Sequence, residues 1–291
     1  MSSKCSATRP GVQSYPEAVP ELPEVETIRS RLAPGLIGRR IESVSIDDPR
    51  LTRPEPPELV ASALEGEVVR DLRRRGKYLI FEFESGRHLV VHLRMTGGFQ
   101  HPATANGERH RRALVTLDDG SDVSYRDVRR FGTWLLLEPG ELEEYLDARI
   151  GGEPLERAFT TAAFGKGLAG RRAPIKSALL DQRSVAGVGN IYADEALWFA
   201  RIHPLRPAGE LTPEEVSELR AAVRKALRRG IERQGATLSD YRDSQGRKGR
   251  MQHAFKVYGR VGKPCDRCGA PIEKIRVGGR GTWFCGNCQA L

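Results

Sequence analysis

Four of the five cysteines in this chain crowd into its last 27 residues, as Cys265-x2-Cys268 and, sixteen residues further on, Cys285-x2-Cys288. A CxxC turn lets two thiolates reach one ion, and two such turns complete a tetrahedral set. The spacing predicts one structural zinc with no coordination position open to water, at the base of a β-hairpin too short to form its own core. That hairpin, in "RVGGRGTWFC", carries Arg276 and Arg280 among glycines that permit close backbone approach. A second cluster, "PELPEVE" at residues 20–26, sets Glu21, Glu24 and Glu26 beside two prolines. Carboxylates there complement the dipole of a following helix. Cys5 lies apart in an unpatterned tail and is assigned no role.

The 291 residues suffice for two domains, and a 39% hydrophobic content can fill proper cores. No apolar run has the length of a membrane span, and residues 1–18 lack the apolar stretch of a secretory signal. A net charge of +9 favours a polyanionic partner, most simply nucleic acid. Cysteines spaced for a metal rather than for disulfides imply a reducing cytoplasm.

These groups need elements to position them. Residues 1–18 show no periodicity. A helix is expected from Pro23, with Val25, Ile28 and Leu32 on one face and Pro34-Gly35 as its stop. From Ile41 to Pro139 the pattern turns to alternation and short apolar runs: "IESVSI", "GKYLIFEFE", "RHLVVHLRM", "RALVTL", "DVSYRDV" and "FGTWLLLE". Asp119-Gly120 marks a hairpin turn, and the whole reads as an antiparallel sandwich or barrel of about 100 residues. The paired glycines of "ARIGGEPLERA" read as a linker. Beyond it, "IKSALLDQ" and "IYADEALWFARI" read as helices separated by the turn "SVAGVGN". Thr212 then opens a long helix with a capping box, striped by Val216, Leu219, Val223, Leu227 and Ile231, with Gly235 as its stop. The expected fold class is α+β: an N-terminal helix and antiparallel β-sandwich, then a helical domain and a zinc hairpin. Boundaries are expected at 19–147 for the sandwich, 148–160 for the linker, 161–257 for the helical domain and 258–291 for the zinc module.

"PELPEVE" before a helix, "GVGNIYADEAL" at a helical turn and the four-cysteine hairpin, in that order and spacing, resemble the formamidopyrimidine-DNA glycosylases. The resemblance runs from about Pro20 to Gln289, with "RRGKYLIFE", "HLRMTG" and "RRFGTWLL" in register. It implies a helix–two-turn–helix domain, a bound zinc and double-stranded DNA carrying an oxidised base as partner. It also implies a bifunctional glycosylase/AP lyase for oxidised purines, chiefly 8-oxoguanine and ring-opened guanine. In such enzymes a proline's secondary amine attacks C1′, and the resulting iminium acidifies the neighbouring sugar proton for β- and then δ-elimination.

Carried over residue by residue, the resemblance makes Pro20 the nucleophile and Glu21 the acid that protonates the opening sugar, with Glu24 in support. Lys77 would serve β-elimination, and Arg280 would hold the phosphate beside the lesion for δ-elimination. Asn190 would grip that phosphate from the helical domain while also capping its helix. Met95, Arg129 and Phe131 would fill the hole left by an everted base, with Arg129 facing the orphaned cytosine. His92, His110, Arg171, Lys176 and Tyr258 would contact further phosphates. A monomer and a cytoplasmic, nucleoid-associated location are expected.

Three features depart from the family pattern. Val128 stands where proline is usual. "RDSQGRKGRMQHAF" is more basic than the family's lesion-capping loop and leaves the choice of damaged base open. Thirdly, Pro20 is preceded by other residues, and a nitrogen within a peptide bond is no nucleophile. Because GTG encodes valine and also starts bacterial chains, residues 1–18 are expected to be a mis-called start, with the initiator methionine at position 19 removed. Proteolytic removal of a tail is the alternative. A retained tail would leave a non-catalytic zinc-containing DNA-binding protein. The sister subfamily for oxidised pyrimidines usually has glycine where Leu22 sits, and a zinc-ribbon RNA- or ribosome-associated protein is the remaining rival.

Overall fold

A computed structural model describes residues 20–103, 109–239 and 241–291, so the expectations for residues 1–18 lie outside the described residues. Helix α1 (Leu22–Leu36) starts where the amide of Glu21 donates to the carboxylate of Glu24 at 3.0 Å. It continues through Pro34, contrary to the expected stop. A proline in the final turn sacrifices only one intrahelical bond. Gly35 serves packing instead, since a Cβ there would come within 2.5 Å of the His101 ring.

The strands β1 (Ile41–Ile46), β2 (Val69–Arg75), β3 (Tyr78–Phe83), β4 (His88–His92), β5 (Gly97–Gln100), β6 (Arg111–Leu117), β7 (Asp122–Asp127) and β8 (Thr133–Leu137) form two antiparallel sheets. Their orders are β1-β6-β7-β5 and β2-β3-β4-β8. Asp119-Gly120 turns between β6 and β7 as expected, with Gly120 at φ +77. Between the sheets lie Leu72, Leu79, Phe81, Phe99, Tyr125 and Trp134. A short helix α2 (Pro57–Leu64) adds Val60 and Leu64 to this core. On the outer face of the second sheet, helix α3 (Leu142–Asp147) covers Ile80, Val90 and Leu137 with Leu142 and Leu146.

Segment 148–160 is anchored at both ends: Ile150 joins that outer cluster, and Phe159 enters the helical core. That core is built by α4 (Thr161–Leu168), α5 (Ile175–Leu180), α6 (Asn190–Ala200) and α7 (Pro213–Glu232). Helix α7 opens on the expected capping box, Thr212 with Glu215, and buries Val216, Leu219, Val223 and Leu227. Zinc-hairpin strands β9 (Glu273–Val277) and β10 (Arg280–Phe284) lean on the same core through Ile272, Trp283 and Cys285.

Helix α1 joins the two halves. Leu22 belongs to the helical core, whereas Val25, Ile28 and Leu32 belong to the sandwich core, and all four are fully buried. Burying such a side chain contributes about 1.5–3 kcal/mol each. The helix start, and the carboxylates on it, are thereby fixed at the seam. From the other side, Tyr241 reaches into the sandwich core. Among the described residues no helix is long and apolar enough to cross a membrane.

Candidate active site

The seam opens into a cleft of about 320 Å³ walled by Pro20, Met95, Thr96 and Phe99 on one side and Tyr241, Arg242, Asp243 and Gly246 on the other. Beneath it Glu21 is buried, and its carboxylate accepts the amides of Gly189 (2.7 Å), Ile191 (2.8 Å) and Tyr192 (3.3 Å) at the start of α6. Those amides have no intrahelical partner, so the carboxylate caps the helix from outside its sequence. Gly189 makes the approach possible, because a Cβ there would stand 2.4 Å from Glu21 Cδ. Burial raises the Glu21 pKa above the usual carboxylate range, while the charge of Lys77 and the three amides pull against it. That upward direction suits a general acid.

Glu24 lies behind Glu21 and accepts from Tyr192 Oη (2.8 Å) and the Ala236 amide (2.7 Å). Burial, then the neighbouring Glu21 charge, raises its pKa to about 8. One proton shared across two close buried carboxyls is the ordinary outcome.

Lys77 sits in the two-residue turn between β2 and β3. Burial lowers its pKa, opposed by the charges of Glu21 and Glu24 and assisted by Arg280. The turn is clamped from the expected linker: Glu153 accepts from the Gly76 amide (2.8 Å) and from Arg74 (2.8 Å). Arg280 projects from the start of β10, after Gly278 and Gly279 at φ +54 and +76. The carbonyl of Gly281, next to it, accepts from Asn190 Nδ2 (3.1 Å) and from Lys176 Nζ (2.9 Å). Glu21, Lys77 and Arg280 thus share one electrostatic field at the seam.

His92 ends β4 with Nδ1 accepting the Arg94 amide at 3.0 Å, which assigns the ring proton to Nε2. Burial, then the charges of Arg94 and Lys77, lowers its pKa to about 3. A neutral imidazole with a fixed donor can bind an anionic oxygen without a pH-dependent charge. Met95 lies in the β4–β5 loop at the cleft wall. Arg129 and Phe131 lie in the β7–β8 loop, with the guanidinium 5.0 Å from the ring centroid. Phe131 is 50% exposed, so it is no core residue. His110 stands just before β6 at φ +69, and its carbonyl accepts the Asp127 amide.

Three expectations need correction, those for Asn190, Lys176 and Tyr258. Asn190 is the first helical residue, and Gly189 is the N-cap, so Asn190 does not cap α6. Lys176 is fully buried and its ammonium faces Asp194 (2.7 Å), Gly281 O and Thr282 Oγ1 (2.8 Å). Three donors facing three acceptors leave none for a phosphate. Tyr258 is also buried, packed on Trp283 with centroids 4.5 Å apart. Its hydroxyl is set against Asn190, so it supports that side chain rather than lying open to a backbone. Arg171 is half-buried and ion-paired with Asp181 at 2.8 Å, while its neighbour Arg172 is exposed.

The four thiolates of Cys265, Cys268, Cys285 and Cys288 lie within 4.8 Å of one another. Zn–S bonds of about 2.3 Å in a tetrahedron require sulfurs roughly 3.8 Å apart, so the set fits a single zinc. Both knuckles close alike, Gly269 N on Cys265 O and Gln289 N on Cys285 O at 2.9 Å each. Trp198 Nε1 donates to Cys265 Sγ at 3.4 Å, tying the metal to α6.

Asp194, Glu195 and Gln289 carry structural duties not assigned from sequence. Asp194 accepts the Trp283 amide (3.0 Å) as well as Lys176, and burial raises its pKa to about 7. Glu195 accepts the amides of Lys256, Val257 and Tyr258. Gln289 bonds both Cys285 N and Ile202 O at 2.9 Å. Two carboxylates within a helix buried on every side were the available signal.

Comparison with known proteins agrees along the chain. Residues 19–134 match the formamidopyrimidine-DNA glycosylase N-terminal domain, 150–242 the H2TH domain of the same family, and 262–291 the zinc finger found in FPG and IleRS. The formamidopyrimidine-DNA glycosylase of Symbiobacterium thermophilum is 49% identical over 94% of this chain and 90% of its own. That of Herpetosiphon aurantiacus is 44% identical over 94% and 100%. Among solved structures, the MutM (Fpg) protein of Thermus thermophilus superimposes with a TM-score of 0.83 at 45% identity, covering 93% of this chain and 98% of that one. Lactococcus lactis Fpg in complex with abasic-site DNA gives 0.84 at 37% identity, covering 93% and 100%. On this identity and coverage, with the zinc set and the seam built as described, the chain belongs to the formamidopyrimidine-DNA glycosylase family.

Proposed function

We propose that the protein excises oxidised purines from duplex DNA and then cleaves the backbone on both sides of the empty sugar. The observation that carries this reading is the placement of Pro20 and Glu21 together at the cleft, inside the field of Lys77 and Arg280. As a free secondary amine, Pro20 N attacks C1′, and the C1′–base bond breaks, the base leaving with the bonding pair and taking up the proton the nitrogen loses. The nitrogen lone pair then forms the C1′ iminium as the C1′–O4′ bond breaks, and Glu21 gives its proton to the departing ring oxygen. The iminium draws electrons from the C2′–H bond, so the 3′ phosphate leaves by β-elimination and the 5′ phosphate then leaves by δ-elimination. Lys77 assists the first elimination and Arg280 holds the flanking phosphate for the second. Asn190 and the neutral His92 add contacts to the backbone. Met95, Arg129 and Phe131 occupy the space the everted base vacates. The zinc supplies no chemistry; it fixes the hairpin that presents Arg280.

The reaction requires the Pro20 nitrogen to be free, so the reactive species carries nothing before it. Acting on chromosomal DNA, the protein would work in the cytoplasm at the nucleoid. Lactococcus lactis Fpg was solved with Fapy-dG DNA and also with DNA containing an oxidised pyrimidine, so both lesion classes enter the test. Borohydride trapping on duplexes with 8-oxoguanine or thymine glycol decides. Strong trapping on the first and weak trapping on the second is expected. Equal trapping on both would remove the purine assignment.

A further inference from the structure

Met95, Arg129 and Phe131 sit on two loops that are separate in sequence, β4–β5 and β7–β8. One buried side chain joins them. Asp127, the last residue of β7, is 1% exposed, and its two carboxylate oxygens divide their bonds between the loops. Oδ1 accepts the hydroxyl of Thr96, the residue after Met95, and also the amide of Arg129 at 3.1 Å. Oδ2 accepts the Gly132 amide at 2.7 Å, next to Phe131. The Thr96 hydroxyl oxygen in turn accepts the Arg129 amide at 3.0 Å, closing a three-membered network. Close packing leaves it little play: a Cβ on Gly132 would lie 1.9 Å from Tyr125 Oη, and one on Gly97 2.3 Å from the same atom.

We infer that Asp127 is a positioning residue that makes Met95, Arg129 and Phe131 move as one wedge, so that base eversion does not have to order two loops. The inference rests on the functional reading above. Everting a base opens a void, and filling it with a preassembled surface avoids an ordering cost at that moment. The network matters only where there is a stack to fill. Asp127 touches neither the proposed nucleophile nor the acid.

The test compares single-turnover cleavage of an 8-oxoguanine duplex with cleavage of a single-stranded abasic oligonucleotide, which has no opposite base and no stacked void. The readout is the duplex-to-single-strand rate ratio for wild type, Asp127→Ala, Asp127→Asn and Thr96→Val. Leaving buried donors unpaired should lower the ratio by about 10- to 100-fold in Asp127→Ala. Thr96→Val should lower it less, and Asp127→Asn should recover part of the loss, since one acceptor oxygen remains while the other is replaced by an NH2 donor. If Asp127→Ala fails to fold, Thr96→Val and Asp127→Asn carry the comparison. An unchanged ratio in the variants that fold, or an equal fall on both substrates, would overturn the inference. A wild type inert on both substrates, with Pro20 free, would instead overturn the functional reading and this inference with it.

Discussion

Gly189→Ala is the smallest change that separates acid chemistry from fold. The new Cβ would stand 2.4 Å from Glu21 Cδ and 2.7 Å from its Cγ and Oε1. That is roughly 1 Å inside ordinary carbon contact, so the carboxylate must retreat from the helix start. It cannot do so and keep the amides of Gly189, Ile191 and Tyr192, now at 2.7, 2.8 and 3.3 Å. A hydrogen bond to a charged acceptor contributes about 1.5–3 kcal/mol, so losing one or two removes about 2–5 kcal/mol of local stabilisation. Without those amides the pull of burial on Glu21 is less opposed, and its pKa moves further up. A displacement near 1 Å in a reacting group costs about 100-fold in rate. Single-turnover base excision from an 8-oxoguanine duplex should therefore fall by about that factor. Cleavage of a preformed abasic site, where no base departs, should fall less. Wild-type excision by a folded Gly189→Ala protein would refute the role given to the Glu21–α6 contact.

Lys77→Ala and Arg280→Ala should each slow or stall strand cleavage while leaving the melting temperature near wild type; either variant cutting abasic DNA at the wild-type rate contradicts its assignment. Chelating the zinc, or Cys285→Ser, should abolish DNA binding and also loosen the helical domain, because Ile272, Trp283 and Cys285 share its core, while the sandwich melts separately. Full binding by the metal-free protein is the contrary result. Glu24 titrates at about 8 in the fold against 4.5 ordinarily, so the folded chain binds the extra proton between those values. Stability from this group is complete below about pH 4.5 and is lost as pH rises through about 8. Melting temperature should thus fall more from about pH 5 to about pH 8 in wild type than in Glu24→Gln, and parallel curves would count against a buried, proton-holding Glu24.

Periodicity and motif spacing made most of this architecture legible. The strands "IESVSI" and "YLIFEF", the Asp119-Gly120 turn and the capped α7 all follow local rules that tertiary structure did not override. Strand β2 was obscured because "VRDLRRR" shows only Val69 and Leu72 as apolar inward positions, across a register shift. Its Arg74 is neutralised by Glu26 and Glu153, partners distant in sequence. Strand β5 was obscured by Gly97 and Gly98; at Gly97 the reason is the nearby hydroxyl of Tyr125. At the site, residues in direct motifs could be placed, but whether Lys176 or Tyr258 faced solvent could not. Both turn inward to satisfy carboxylates and aromatic neighbours that no local pattern reveals. The same limit hid Asp127, whose importance lies in two loops meeting in space.

Peptide mapping of the borohydride-trapped adduct puts the proposed chemistry to a single test. Protein in which an initiator methionine directly precedes Pro20, and is removed, is trapped on 8-oxoguanine DNA, digested and sequenced by mass spectrometry. The sugar remnant should reside on the nitrogen of Pro20, and the chain that retains Val19 should give no adduct. An adduct on Lys77 or any other lysine, or equal trapping of the chain that retains Val19, would contradict proline-based catalysis in this protein.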